Sequence, residues 1–150
     1  MIVEREPLQP TAKVPSGTFT QERSLRVLVG DDDVEMRRLL GDVLRKDGHV
    51  VVLAEDGVQA FRKVLVDPES PTGFSDQPVD VIVVDNRMPG CTGLELLNYL
   101  QSAGREVPVI LITAFADEQT RREARRLGAA AFLSKPFNME LLREAVREVV

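Results

Sequence analysis

The sequence contains almost no cysteine or histidine. Its 150 residues contain one cysteine, Cys91, and one histidine, His49. A single cysteine cannot form an intramolecular disulfide, which fits a reducing compartment, and we read Cys91 as an incidental loop thiol. His49 follows Gly48 and precedes an apolar run, so we predict a structural or solvated role for it.

Long apolar runs and an excess of positive charge are also missing. No stretch approaches the roughly 18–20 apolar residues that span a bilayer, and the N-terminus lacks the charged-then-apolar pattern of a signal peptide. Acidic residues outnumber basic ones by 24 to 19, giving a net charge of −5, so the chain has no basic footprint for nucleic acid. We expect a cytoplasmic protein with no membrane contact and no direct binding of nucleic acid.

The length fits one domain with a sizeable core. Residues 1–23 contain Pro7, Pro10 and Pro15 and no sustained apolar period, so they predict a flexible N-terminal tail. Residues 24–150 are predicted to form the domain. Within it, segment 67–78 is rich in proline and serine and is longer than the roughly 2–6 residues usual for such a connection.

The rest of the chain alternates short apolar runs with helical periodicity. Five strands are predicted, at 25–30, 50–53, 79–84, 107–112 and 130–133. Helices are expected to begin near Asp33, Gly57, Gly93, Asp117 and Met139. Because the strand runs are apolar throughout rather than alternating, they indicate a parallel sheet covered by helices on both faces.

Polar residues follow these runs where the strands end. Asp31 and Asp32 follow the first run, Asp85 the third, Thr113 the fourth and Lys135 the fifth. In open parallel sheets, ligands bind outside the carboxyl ends of the strands. These side chains are therefore predicted to share one site.

Such a site suits a divalent cation and a phosphoryl group. Two carboxylates about 4 Å apart repel by roughly 4 kcal/mol at an effective dielectric near 20, so a cluster of them favours a bound cation. Hard oxygen ligands suit Mg²⁺, which keeps several waters. Lys135 and Thr113 are placed to bind phosphoryl oxygens, and the Asp85 carboxylate is placed to form an acyl phosphate.

On these motifs the chain resembles the receiver domain of two-component response regulators, including the chemotaxis regulators. The resemblance covers about residues 25–150. It rests on five motifs in the right order: Asp31-Asp32, Asp85, Met88-Pro89-Gly90 with Gly93, Thr113-Ala114, and Lys135-Pro136-Phe137. Five motifs together are far more specific than any one alone.

The resemblance implies a fold and a chemistry. The fold is α/β, a flavodoxin-like doubly wound five-stranded parallel sheet in order 2-1-3-4-5 with five helices. Asp85 would accept a phosphoryl group from a sensor histidine kinase or phosphotransfer protein of a phosphorelay, with help from Lys135 and Thr113. Mg²⁺ or Mn²⁺ would be held by Asp31, Asp32, Asp85 and the backbone carbonyl of Arg87. Such a domain is not a turnover enzyme, since it catalyses only its own phosphoryl transfer and slow autodephosphorylation. The Lys135–Pro136 bond is expected to be cis.

The resemblance also implies an output. Thr113 would move toward the phosphoryl group, and Phe132 would turn inward as a switch that works by packing. The face made by the fourth helix, fifth strand and fifth helix would then contact a downstream protein or a second copy. Four arginines on the fourth helix, at 121, 122, 125 and 126, are expected to be a solvated face or part of that docking surface.

Several residues depart from the family pattern. Gly30 replaces a larger apolar residue, Asn86 and Arg87 are uncommon after the phosphoacceptor, and Thr92 replaces a frequent aspartate. Arg87 and Phe115 are predicted to modulate the lifetime of the phosphoaspartate, with slow decay expected. These departures leave open a pseudo-receiver that serves as an unphosphorylated interaction scaffold. A phosphatase with an aspartate nucleophile at 31–33 is a third reading, although Glu35 and the absence of obvious cap material disfavour it.

Overall fold

The computed structural model describes residues 24–64, 78–114 and 117–150. The predicted tail, most of segment 67–78, and Phe115 lie outside these residues. Strands and helices alternate in the described part as follows: β1 (Arg26–Gly30), α1 (Val34–Lys46), β2 (Val50–Ala54), α2 (Gly57–Val64), β3 (Val81–Asp85), α3 (Gly93–Ser102), β4 (Val109–Thr113), α4 (Glu118–Arg126), β5 (Ala131–Ser134) and α5 (Met139–Glu148). The predicted elements are all present, and their predicted bounds differ from the observed ones by at most two residues.

The five strands form one parallel sheet in the order β2-β1-β3-β4-β5. This confirms the predicted flavodoxin-like topology. The register pairs Gly30 with Val84, Asp85 with Ile112, and Thr113 with Ser134. The carboxyl ends of β1, β3, β4 and β5 therefore lie side by side along one edge of the sheet.

Helices cover both faces of the sheet and create two cores. On one face, α1 and α5 pack on side chains such as Val27, Val29 and Ile110. On the other, α2, α3 and α4 pack on the intervening side chains, such as Leu28 and Leu111. Neighbouring residues of one strand enter opposite cores, because successive side chains point to opposite faces. This explains why the strand sequences are apolar throughout.

The second strand is less buried than its sequence predicts. Its four apolar residues, 50–53, predict a short buried strand. That prediction was wrong, because Val50 is 53% exposed and Val51, Val52 and Leu53 are only partly buried. β2 lies at the edge of the sheet and pairs only with β1. Apolar composition could not reveal this, because strand order depends on contacts distant in sequence.

Two sequence predictions about local structure are confirmed. The Asp33 carboxylate caps α1 by accepting hydrogen bonds from the N–H groups of Glu35 and Met36, at 2.9 and 3.2 Å. His49 is 8% exposed, and its Nδ1 accepts a 3.1 Å hydrogen bond from the N–H of Leu25. The histidine therefore has a structural role at the amino edge of the sheet. Within the described ranges, no helix is long and apolar enough to cross a membrane.

Candidate functional site

The carboxyl edge of the sheet carries an open cleft of about 510 Å³. Its lining residues come from four strand ends: Asp31, Asp32, Asp33, Asp85, Arg87, Ala114 and Lys135. The structure thus brings together every residue predicted to bind metal, together with Lys135. Thr113 is buried beside this edge rather than lining the cleft, and Phe132 lies deeper under α4.

Asp85 is held by contacts from two directions. Its side chain is 7% exposed, Oδ1 accepts a 2.9 Å hydrogen bond from the N–H of Arg87, and Oδ2 forms an ion pair with the Lys135 ammonium. It is the last residue of β3, not the first residue of the following loop, so the strand backbone fixes its position. One carboxylate oxygen is thereby oriented by the main chain and the other by a cation that can also bind a phosphoryl oxygen.

Asp31 is the most buried carboxylate of the cleft, with no exposed surface. Its Oδ1 accepts a 2.9 Å hydrogen bond from the N–H of Asp33, but its buried Oδ2 has no hydrogen-bond partner. Burial raises the pKa of Asp31, and the negative charge of Asp85 raises it further, although the bond from Asp33 opposes the shift. An unpaired, buried carboxylate oxygen beside a second carboxylate favours a cation.

Lys135 supplies the positive charge of the cleft. Burial alone would lower the pKa of its ammonium. The hydrogen bond and charge of Asp85, with the charges of Asp31 and Asp33, outweigh burial, so the pKa lies above its usual value. Lys135 therefore stays charged at neutral pH. The Lys135–Pro136 peptide bond is cis, as expected.

The donors in the cleft fit Mg²⁺. They are carboxylate oxygens, one of them unpaired, with a backbone carbonyl available at Arg87, and Mg²⁺ usually takes one or two carboxylates and completes its shell with water. Among the described residues, no group of three or more His, Cys, Asp or Glu side chains is already gathered as a metal site.

Sequence reasoning missed Arg37. Its Nη1 donates a 2.9 Å hydrogen bond to the backbone carbonyl of Asp31. The bond links the first turn of α1 to the loop that carries Asp31 and Asp32. The sequence could have indicated this contact, because a helix that begins at Val34 places residue 37 one turn from its start, within reach of the preceding loop.

Two departures from the family pattern have local structural roles. The Asn86 Oδ1 accepts from the N–H of Leu94 at 3.1 Å, and its backbone carbonyl accepts from the N–H of Gly93 at 3.2 Å, which ties the loop after Asp85 to α3. Thr92 caps α3 in a reciprocal pair with Glu95. Both residues therefore stabilise the local structure at the start of α3.

Gly30 and Gly57 allow close packing near the cleft. A Cβ at Gly30 would lie 3.0 Å from Val84 Cγ1 and 3.4 Å from the sulfur of Met88, so glycine leaves room chiefly for the buried Val84 on the neighbouring strand. A Cβ at Gly57 would lie 1.7 Å from the backbone oxygen of Cys91. The loop after Asp85 is therefore packed against the start of α2, a contact that sequence reasoning did not identify.

Arg87 lies between the cleft and the start of α4. Its side chain is exposed and lines the cleft. The side-chain and backbone hydrogen bonds with Thr120 hold the pKa of Asp117 below its usual value, and the positive charge of Arg87 lowers it further. The positive charge of Arg87 therefore acts on Asp117, the N-cap of α4, while its side chain lines the same cleft as Asp85.

Thr113 and Phe132 lie under α4. Thr113 is 1% exposed and its Oγ1 has no hydrogen-bond partner. Phe132 is also 1% exposed, and the guanidinium carbons of Arg121 and Arg125 lie 5.7 and 5.6 Å from its ring centroid. The ring is thus already inward in this structure.

Of the two roles expected for these arginines, a solvated face or part of a docking surface, the first was wrong for Arg121. This residue is only 6% exposed, because it covers Phe132 and forms an ion pair with Glu118 within the same helix. Arg122, Arg125 and Arg126 are exposed to differing degrees. The spacing of charged residues along α4 could not show which arginine is buried, because the burial of Arg121 depends on the Phe132 ring in β5.

Comparison with known proteins gives one family. The family model of the response regulator receiver domain matches residues 27–147. The chain is 30% identical over 123 residues to sporulation initiation phosphotransferase F of Bacillus subtilis (strain 168), covering 82% of this chain and 91% of that protein. It is 35% identical over 127 residues to response regulator MprA of Mycobacterium ulcerans (strain Agy99), covering 85% of this chain and 50% of that protein. The chain therefore spans about half the length of this second relative.

Solved structures show the same similarity. The crystal structure of FixJ-N aligns with a TM-score of 0.72 and 28% identity, covering 85% of this chain and 94% of that one. The chemotaxis protein CheY4 of Vibrio cholerae aligns with a TM-score of 0.72 and 27% identity, covering 85% of this chain and all of that one.

Proposed function

This chain belongs to the response regulator receiver domain family, and from that premise we propose that Asp85 is its phosphoacceptor. The observation that carries the assignment is the position of the Asp85 carboxylate. It ends β3 in the cleft, is oriented by the N–H of Arg87 and the Lys135 ammonium, and lies near the incompletely paired Asp31. No other carboxylate lining this cleft pairs with Lys135 in the described structure.

The proposed step is a phosphoryl transfer. One Asp85 oxygen attacks the phosphorus of a phosphohistidine, the P–N bond breaks, and an acyl phosphate forms while the histidine leaves with the bond electrons. Lys135 follows the transferred group and pairs with one of its oxygens, and the Thr113 hydroxyl donates to another. Thr113 is suited to this because its hydroxyl has no competing partner in the structure.

Receiver domains of this family generally bind Mg²⁺ at the acidic pocket, and we assign the binding groups here to Asp31, Asp32, Asp85 and the carbonyl of Arg87. Bound Mg²⁺, or Mn²⁺, would neutralise carboxylate charge and stabilise the charge on the transferred group. The unpaired Asp31 Oδ2 supports this assignment. Arg37 and Asp33 keep the Asp31 loop in place through its carbonyl and Oδ1.

The family implies a sensor kinase or a phosphotransfer protein as the phosphoryl donor. We propose that residues 24–150 act as the receiver domain, with 1–23 as a tail, and that the domain works in the cytoplasm as a switch rather than as a turnover enzyme. Movement of Thr113 and repacking of Phe132 would alter the face of α4, β5 and α5. That face would bind a downstream protein or a second copy.

We also assign control of the phosphoaspartate lifetime to Arg87 and Phe115. The Arg87 side chain lines the cleft and is therefore placed to pair with the phosphoryl group and to hinder water. Phe115 follows Thr113 by two residues, outside the described residues. Slow hydrolysis is the expected result.

The scaffold alternative is less well supported. The acidic residues and Lys135 are assembled in one cleft, and Gly30, Asn86 and Thr92 have packing or capping roles. Those three departures therefore no longer argue for a degenerate site. The phosphatase reading is also not favoured, because Asp33 caps α1 and the family is that of response regulators.

The test is labelling with acetyl phosphate in the presence of Mg²⁺, followed by intact mass. We expect one phosphoryl group on the wild-type chain and none on Asp85→Asn. Asp42→Asn is the matched control, because Asp42 is an exposed aspartate of α1 that does not line the cleft. Failure of the wild type to label from acetyl phosphate and from a panel of phosphorylated kinases would favour the scaffold.

A further inference from the structure

Three buried side-chain polar atoms in the described ranges lack a hydrogen-bond partner: Asp31 Oδ2, Thr113 Oγ1 and Ser134 Oγ. All three belong to the carboxyl edge of the sheet. The proposed function uses Asp31 for metal and Thr113 for the phosphoryl group, but it gives Ser134 no role. A hydroxyl that is buried without a partner is unfavourable, so its presence at 1% exposure calls for a physical explanation.

Ser134 lies beside Thr113. It is the last residue of β5, and the sheet register pairs it with Thr113, the last residue of β4. Neighbouring strands are about 4.8 Å apart. In each strand, the residue two positions earlier points into the core under α2–α4: Phe132 in β5 and Leu111 in β4. Because side chains two residues apart share a face, the two hydroxyls lie on the same face of the sheet.

Resting on the proposed function, we propose that Ser134 is a positioning residue for Thr113 in the phosphorylated state. A hydroxyl has one hydrogen to donate and two lone pairs to accept. When Thr113 donates its hydrogen to a phosphoryl oxygen, its lone pairs are available to the Ser134 hydroxyl. The result is a chain of hydrogen bonds from Ser134 through Thr113 to the phosphoryl group, in which each bond polarises the next.

This chain makes the phosphorylated arrangement more favourable than the resting one. Both hydroxyls are unpaired in the structure described here, and both become paired when Thr113 moves. Ser134 would therefore stabilise the switched position of Thr113 without touching the phosphoryl group. Alanine at 134 would remove the donor, while threonine would keep it.

The test uses beryllofluoride as a phosphoryl mimic on Asp85. Wild type, Ser134→Ala, Thr113→Val and the double variant are titrated with fluoride at fixed Mg²⁺ and Be²⁺, and bound fluoride is followed by ¹⁹F NMR. We expect Ser134→Ala to weaken apparent affinity about fivefold, as for the loss of one ordinary hydrogen bond. In the Thr113→Val background the same change should alter affinity less than about twofold, and Ser134→Thr should bind within about twofold of wild type.

A second measurement separates positioning from simple packing. Ser134→Ala removes an unpaired buried hydroxyl, so its urea midpoint should equal or exceed that of the wild type. A lower midpoint together with equal losses in the wild-type and Thr113→Val backgrounds would overturn the inference, as would no loss of affinity at all. If the wild type binds no beryllofluoride, or Asp85→Asn binds it equally well, the proposed function itself fails. Wild-type binding that depends on Asp85, with additive losses, overturns only the role of Ser134.

Discussion

The two edges of the sheet differ in how completely their polar side chains are hydrogen-bonded. At the amino edge, His49 Nδ1 accepts from the N–H of Leu25 at 3.1 Å, and Asp80 Oδ2 accepts from the N–H of Arg26 at 2.8 Å. At the carboxyl edge lie all three buried side-chain atoms without partners in the described ranges. In the described ranges, buried side-chain atoms without a partner therefore occur only at the carboxyl edge, where each of them lowers the stability of the fold.

Two aspartates show the same contrast through their pKa values. The hydrogen bond from Arg143 holds the pKa of Asp47, the C-cap of α1, below its usual value. Burial raises the pKa of Asp31 at the opposite edge. The ionised form is favoured by folding at Asp47 and disfavoured at Asp31. Removing the charge should therefore lower the free energy of unfolding at Asp47 and raise it at Asp31.

The largest expected effect is that of Asp31→Asn on metal-dependent labelling. Loss of a carboxylate that binds Mg²⁺ should lower the labelling rate by acetyl phosphate at limiting Mg²⁺ by about 10–100-fold. The free energy of unfolding should rise by about 1 kcal/mol, because a buried charge with an unpaired oxygen is removed. Labelling kinetics and urea denaturation without Mg²⁺ measure the two effects. A fall in stability would break the contrast between the edges.

At the amino edge, His49→Ala should lower the free energy of unfolding and leave labelling unaffected. It leaves the Leu25 N–H without its acceptor, at a cost of about 1–3 kcal/mol in the free energy of unfolding. The labelling rate should not change, because the substitution lies at the other end of the strands. Ser24→Ala is the control, since Ser24 is exposed and its bond to the Gly48 carbonyl is expected to contribute less than about 0.5 kcal/mol. A variant that loses labelling in proportion to stability would contradict the separation of the edges.

A smaller effect is expected from Asp47→Asn, and it depends on pH. The folded pKa of Asp47 lies below its unfolded value near 3.8, so its stabilisation is fully present above that value and is lost as pH falls through the folded pKa. At pH 7 we expect a loss of about 1 kcal/mol, since Arg143 is 39% exposed and the ion pair is partly screened. Urea denaturation of variant and wild type at pH 7, 5 and 3 should show the difference shrinking only below about pH 4. A difference that grows on acidification would be inconsistent with the ion pair.

The smallest expected effect concerns Arg87 at the carboxyl edge. Arg87→Ala should shorten the phosphoaspartate half-life about two- to fivefold, the range for an exposed ion pair worth roughly 0.5–1 kcal/mol. Intact mass after removal of acetyl phosphate measures the decay. Arg122→Ala, on the exposed side of α4, should leave the half-life unchanged. A longer half-life in Arg87→Ala would show that the guanidinium promotes hydrolysis instead of hindering it.

Most of the fold was predictable because two independent signals agree along the chain. Apolar runs mark the strands, and the residues that follow them are those that a ligand at the carboxyl edge needs, such as Asp31, Asp85 and Lys135. Helix boundaries followed from local chemistry, as with the Asp33 cap. These features depend on neighbours in sequence, so the sequence contains the information directly.

The errors and omissions came from contacts between distant elements. The half-exposed β2 depends on its place at the sheet edge, and the burial of Arg121 depends on Phe132 in β5. The roles of Asn86 and Arg37 depend on which backbone groups lie opposite them after folding. No local pattern contains these distances.

The amino-acid sequence by itself determined the alternation of strands and helices, the acidic residues at the strand ends and the resemblance to receiver domains. Only the tertiary structure decided which polar atoms have partners. Asp85 is paired on both oxygens, whereas Asp31 Oδ2, Thr113 Oγ1 and Ser134 Oγ are not. The physical reason is that a hydrogen bond requires two groups at the correct distance and angle, and the sheet brings together groups such as Asp85 and Lys135 that lie 50 residues apart in the chain.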